Sequence, residues 1–162
     1  MYLWSNSVLK AVTIKENQQE LLEDFIRLNE EWISHYFEIE DVDRELAANP
    51  MKVIDNGGYI FSLIEEGEVK GVCALFNNGN GIFELARMAV SPSSQGKGFG
   101  KTLIEHALAK LTEIGAQQVY LVSNTKLTTA IELYKRYGFE TTSEGQHPVY
   151  TRANIVMSRH CI

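Results

Sequence analysis

Apolar residues recur along the chain at two spacings, and the switch between them marks its elements. Val8 to Ile14 is rich in apolar residues and reads as a first strand. Leu21, Leu22, Phe25, Leu28 and Trp32 then fall at helical spacing. Asp41 is placed to cap a second, short helix that Pro50 ends. Tyr59 to Ile64 and Val69 to Phe76 are apolar runs joined by Glu65-Glu66-Gly67-Glu68, a hairpin signal. Asn77 to Gly81 predicts a second turn and Ile82 to Val90 a third strand of this meander. After a glycine-rich stretch, Leu103, Ile104, Ala107, Leu108, Leu111 and Ile114 form one helical stripe, and Gly115 closes it. Val119 to Val122 reads as a strand, Thr128 to Arg136 as a helix stopped by Gly138, and Phe139 to Thr142 and Val149 to Met157 as closing strands. The order predicts an α/β domain, a mixed sheet with helices on both faces.

The 162 residues form one expected domain, 1–162, and a 44% hydrophobic content is enough to bury a core. Two cysteines are too few for a disulfide framework, and Cys73 sits inside an apolar run, so the expected compartment is the reducing cytoplasm. No apolar stretch approaches the roughly 20 residues of a membrane span, and Trp4, Ser5 and Asn6 interrupt the place of an export signal. A net charge of −6 argues against a nucleic-acid surface. His35, His106, His147 and His160 show no metal-ligand spacing, so no metal is expected, and His106 is expected at the surface. The oligomeric state, a homodimer included, stays open.

The segment Ser94-Gln95-Gly96-Lys97-Gly98-Phe99-Gly100-Lys101 joins a strand to the amphipathic helix. Small residues let the backbone approach a ligand, and the helix start offers free N–H groups and a positive dipole end, a phosphate-binding arrangement. A P-loop would need glycine where Gln95 stands, and a dinucleotide fingerprint fails at Lys101 or Leu103. The pattern Gln/Arg-x-x-Gly-x-Gly/Ala is met by Gln95, Gly98 and Gly100. It follows Glu84-Leu85-Ala86-Arg87-Met88-Ala89-Val90, and Leu133-Tyr134-Lys135-Arg136-Tyr137-Gly138-Phe139 lies further on. Together these segments resemble the GNAT superfamily of N-acetyltransferases over about residues 8 to 158. The resemblance implies a GNAT fold of about seven strands and about four helices, with the fourth and fifth strands splayed around acetyl-CoA. It further implies that Met88 and Val90 pair with the pantetheine arm and that residues 95–101 hold the pyrophosphate. Where many relatives carry asparagine this chain has Leu127, and Asn124 is the nearby substitute.

Acetyl transfer to an amine needs a base for the ammonium, a donor for the developing oxyanion and an acid for the leaving thiolate. Glu84 begins the cofactor strand and matches the family's general-base glutamate in position; otherwise it is a strand-start carboxylate paired with Arg87. Tyr134, by its motif, is the expected acid; otherwise it is an inward aromatic of a short helix. Strand geometry points to the N–H of Ala89 or Val90 for the oxyanion. Neither cysteine sits in a nucleophile motif, so direct attack on acetyl-CoA by a small-molecule or peptide amine is expected. A CoA-binding module without catalysis is the alternative, and it would have lost Glu84 or Tyr134. For the acceptor side the candidates are Trp32, His35, Tyr36 and Glu40 of the covering helical segment, and Tyr150, Arg152 and Asn154 as one strand face. Arg152 is suited to hold a substrate carboxylate, or else forms a salt bridge.

Overall fold

The structure is a computed structural model and describes residues 11–161. Its strands are β1 (Val12–Glu16), β2 (Tyr59–Glu65), β3 (Glu68–Asn77), β4 (Ile82–Val90), β5 (Gln118–Ser123), β6 (Glu140–Glu144) and β7 (Ile155–His160). The helices are α1 (Leu22–Tyr36), α2 (Asp41–Ala48), α3 (Met51–Asp55), α4 (Phe99–Glu113) and α5 (Thr128–Arg136). The part of the expected first strand before residue 11 lies outside the described residues.

The seven strands form one sheet in the order β1-β2-β3-β4-β5-β7-β6. Only β4 and β5 run parallel. The β2–β3 hairpin turns on Glu66 and Gly67, both at positive φ (53° and 79°), the conformation that matches the strands' twist. Alternation sends side chains of each central strand to two separate cores. Phe61, Leu63, Cys73, Leu75, Phe83 and Leu85 pack with Leu103, Ile104, Ala107 and Leu111 of α4 and Ile131 of α5. Ile60, Val72, Ala74 and Ala89 pack with Leu22, Phe25 and Leu28 of α1 and Val53 of α3. This is the GNAT architecture expected from the sequence, with both faces of the sheet covered.

There are five helices among the described residues, in keeping with the expected number of about four. Pro50 ends one helix and also stands at the head of the next, since its φ of −67° already suits a helix start. Two local expectations need correction. The cap of α2 is Glu40, not Asp41: the Glu40 side chain accepts the N3 N–H while Asp43 accepts the Glu40 N–H at 2.8 Å. The last strand begins at Ile155, not Val149. Residues 145–154 are a loop in which four N–H groups go to side chains: His147 Nδ1 accepts from Val149 and Tyr150, and Glu40 from Thr151 and Arg152.

Candidate active site

The site is made where two strands part. β4 and β5 pair only from Ile82 to Glu84 against Gln118 to Tyr120. Beyond that, β4 stays with β3 and β5 stays with β7, so a slot opens between residues 85–90 and 121–123. Glu84 stands at the fork. Its neighbours Phe83 and Leu85 belong to the α4–α5 core, so the carboxylate points to the α1 face. It is 9% exposed and lines the cavity at the head of the slot. Tyr120, opposite it in the register, donates its hydroxyl to Glu84 Oε1 at 3.3 Å and accepts from the Asn78 amide. Burial pushes Glu84 up to about 7, against the opposing pull of Tyr120 and Arg87.

Three residues on, β4 is bulged. Val72 faces Ala89 and Ala74 faces Ala86, so Cys73 stands against both Arg87 and Met88. Arg87 takes a φ of 59°, rare for a residue with a Cβ. The bulge turns its side chain to Asp43 of α2, to which Nη1 donates; the Arg87–Glu84 salt bridge that was the alternative to a base role for Glu84 is not formed. These two side chains are 6% and 2% exposed. Arg152 approaches from the 145–154 loop and donates both Nη groups to Asp43 at 2.7 Å, and Nη1 also to Glu40 at 3.1 Å. Burial alone would raise Asp43, but the hydrogen bonds of Arg152 and the Glu40 N–H, with the charge of Arg87, hold it at about 2. The Tyr150 ring lies 5.6 Å from the Arg87 guanidinium carbon and 5.3 Å from that of Arg152.

The sequence-derived acceptor residues are therefore divided. Trp32, Tyr150 and Arg152 line the cavity with Glu84 and Arg87. His35 and Tyr36 line a second cavity with Val90, Pro92 and Gln95, and Trp32 borders both. The Glu40 carboxylate is engaged by Thr151 and Arg152, outside either cavity's lining. Asn154 ties down the loop after β5, bonding Thr125 N at 2.9 Å and Thr125 Oγ1 at 3.1 Å. Tyr150, Arg152 and Asn154 do not form a strand face, because no strand runs there.

On the slot's other flank, Tyr134 of α5 lines the first cavity, and its ring meets Phe139 edge-on at 6.0 Å. Burial, with Cys73 nearby, pushes its hydroxyl up to about 12. Asn124 reaches the same cavity, but its amide donates to the Arg152 carbonyl at 2.8 Å and its carbonyl accepts the Lys126 N–H. Its polar groups thus shape the loop. His106 is half-buried, its ring edge-on to Phe61, rather than fully at the surface.

The glycine-rich loop leaves β4 through a 3-10 turn (Pro92–Ser94). Gly96 and Gly98 take φ of 86° and 80°, and a Cβ on either would meet nothing within 4 Å. Gly98 is the N-cap of α4. No side chain caps this helix, and its first turn holds no acidic residue while Lys101 adds positive charge there. Phe99 anchors the turn in the core. Lys97 is not free above the loop: its Nζ is 3.2 Å from Glu65 Oε1. The Ser94 hydroxyl, beneath the loop and 1% exposed, has no partner among the described residues. Open space over positive-φ glycines, uncapped N–H groups and an orphaned hydroxyl fit a pyrophosphate, and the slot beside β4 fits an extended arm.

Tyr120, Asn78, Asp43 and Arg87 were missed as parts of the site. Tyr120 was findable once β4 and β5 were taken as parallel neighbours; Asp43 and Arg152, 109 positions apart, carry no spacing signal.

Residues 19–139 match the acetyltransferase (GNAT) family. An uncharacterised N-acetyltransferase of Schizosaccharomyces pombe is 30% identical over 149 residues, covering 88% of each chain. A GNAT-family acetyltransferase of Staphylococcus aureus Mu50 superposes with a TM-score of 0.83 at 20% identity, over 94% of this chain and 100% of that one. A phosphinothricin acetyltransferase of Sinorhizobium meliloti, solved with acetyl-CoA, gives 0.75 at 21% identity over 92% and 88%. The structural likenesses speak for the fold, while the sequence match covers the fork, the loop and α5 together. The chain belongs to the acetyltransferase (GNAT) family.

Proposed function

We propose that the chain moves an acetyl group from acetyl-CoA to an amine by direct attack, with Glu84 as base and Tyr134 as acid. The observation that carries this reading is Glu84 itself, a buried carboxylate at the fork held near 7. A base with a pKa near the working pH combines a useful ionised fraction with real proton affinity. Residues 95–101 and the unpaired edge of β4, Met88 to Val90, would hold the donor. Bound there, acetyl-CoA supplies an activated thioester. The acceptor's N–C bond forms as the C–S bond breaks. Of the two protons the ammonium nitrogen loses, Glu84 passes one to solvent and the other ends on sulfur.

Tyr134 stays protonated across the working pH range and so meets a departing sulfur as a donor. A phenol near 12 does not give its proton fully to a thiolate near 8.5, so its O–H bond supports the sulfur as the second proton arrives. Cys73 is fully buried and its thiol is pushed up by that burial, which disfavours a thiolate and supports direct transfer. A silent CoA-binding module gains no support, since both Glu84 and Tyr134 line one cavity.

The test is incubation with radiolabelled acetyl-CoA, with and without an amine panel. Label should pass to an amine, and none should build up on denatured protein. Stoichiometric label on Cys73 or Cys161 would refute direct transfer.

A further inference from the structure

Three charged side chains line the cavity at the fork, and they are one carboxylate, Glu84, and two guanidiniums, Arg87 and Arg152. Asp43 and Glu40, which balance the arginines, stand behind them, outside the lining. The sequence left Arg152 open between a substrate carboxylate and a salt bridge, and both of its Nη groups are spent on Asp43 and Glu40. Arg87 differs. Of its five N–H donors one goes to Asp43 and another is shared with the Tyr150 hydroxyl, fewer than Arg152 commits, and the bulge in β4 sets it three residues from Glu84 on the same cavity wall. The bulge holds this non-glycine residue at positive φ and re-aims its side chain.

Resting on the acetyl-transfer reading above, we propose that the acceptor is an amine that also carries a carboxylate, bound by Arg87 while Glu84 receives the proton of its ammonium. Guanidinium and carboxylate match as fork and fork, and the pair is strong when shielded from water. Such a zwitterion brings no net charge into a cavity where the arginines are already balanced from behind. A diamine would instead set its second cation against two guanidiniums. Among the other lining residues, Trp32, Ile33, Phe37 and Leu127 are apolar and suit an aliphatic or aromatic body between the two charges.

Matched acceptors test this. L-leucine, L-phenylalanine and L-methionine are compared with their carboxamides and with putrescine, on wild type, Arg87→Gln and Arg87→Lys. In wild type kcat/KM for at least one acid should exceed that of its carboxamide by tenfold or more. Arg87→Gln should bring that ratio to within threefold of one, through KM for the acid, while the carboxamide is little changed. Arg87→Lys keeps the charge without the fork and should fall between, and it serves as the folded variant if glutamine is not tolerated. A wild-type preference for carboxamides or putrescine, or a ratio untouched in the variants, overturns the proposal. If no acceptor is turned over, the acetyl-transfer reading is what suffers. Calorimetry of N-acetyl-leucine, N-acetyl-phenylalanine and N-acetyl-methionine against their carboxamides on CoA-saturated protein then decides. A tenfold preference for at least one acid that Arg87→Gln removes sustains the carboxylate site, and equal binding of every pair ends it.

Discussion

Glu84 has a carboxylate that burial disfavours in its charged form, and this makes activity and stability depend on pH in opposite directions. Its native pKa of about 7 lies above its ordinary value of 4.5. The folded state therefore holds this proton more tightly than the unfolded chain. The stabilising contribution is complete below about 4.5 and is lost as the pH rises through about 7. Glu84→Gln is neutral at every pH, so its melting temperature should gain on wild type between pH 5 and pH 8.5. The difference should reach the order of 2–3 kcal/mol. A constant difference across that range would show that Glu84 is not the group responsible. Catalysis needs the ionised form, so wild-type kcat/KM should rise with an apparent pKa near 7. In Glu84→Gln the loss should be greatest near pH 7 and shrink as the pH nears the amine's own pKa. A raised KM with kcat nearly kept would make Glu84 a binder of the ammonium instead. Tyr134→Phe keeps the ring against Phe139 and removes the donor. Turnover should fall roughly 10²-fold with acetyl-CoA affinity little changed, as single-turnover kinetics and calorimetry can read.

At the scale of elements, the glycine loop and the start of α4 act together, because the loop's backbone is shaped to leave the helix uncapped. Gly98→Asp places a negative charge where a pyrophosphate is expected, and acetyl-CoA affinity should fall at least about tenfold, 1.4 kcal/mol. Since Gly98 sits at φ 80°, Gly98→Ala carries the same backbone strain without the charge and is the control. Equal affinities of the aspartate and alanine variants would remove the loop from the binding site. The helix over Thr128 to Arg136 and the strand over Ile82 to Val90 were legible to the residue, because each is bounded by strong turn chemistry. The fork was legible only through resemblance. No periodicity says where a parallel ladder stops, and the bulge at Arg87 leaves no glycine to announce it. The loop at 145–154 was misread because Val149, Thr151 and Ala153 alternate with Tyr150, Arg152 and Asn154 as a strand would. The side chains of Glu40, distant in sequence, and of His147, within the loop itself, claim four of its N–H groups instead.

Across the molecule, the cluster of Glu40, Asp43, Arg87 and Arg152 fastens the helical cover to the sheet and to the 145–154 loop. Removing one partner leaves a buried charge uncompensated. Arg152→Met should therefore cost about 3 kcal/mol in urea denaturation, although Arg87 still faces Asp43. Asp43, held at about 2 from its ordinary 3.8, adds stability that is complete above about 3.8 and lost as the pH falls towards 2. Asp43→Asn should lack that acid-limb dependence and be less stable at neutral pH. An unchanged slope of stability against pH between about 4 and 2 would show that the cluster does not carry it.

The parting of β4 from β5 has a consequence for how the molecule breathes. A sheet normally exposes unpaired backbone only at its two outer borders, and here two further borders lie inside it, under α1 and α5. Main-chain amides there that bond no neighbour should trade hydrogen for deuterium quickly, although they lie near the centre of the fold. An extended ligand lying along β4 would close that inner border as an added strand does. Exchange over residues 85–90 should then slow when acetyl-CoA is present, while the outer strands β1 and β6 keep their rates. Mass spectrometry of peptides from these segments would map the inner border without any knowledge of the acceptor.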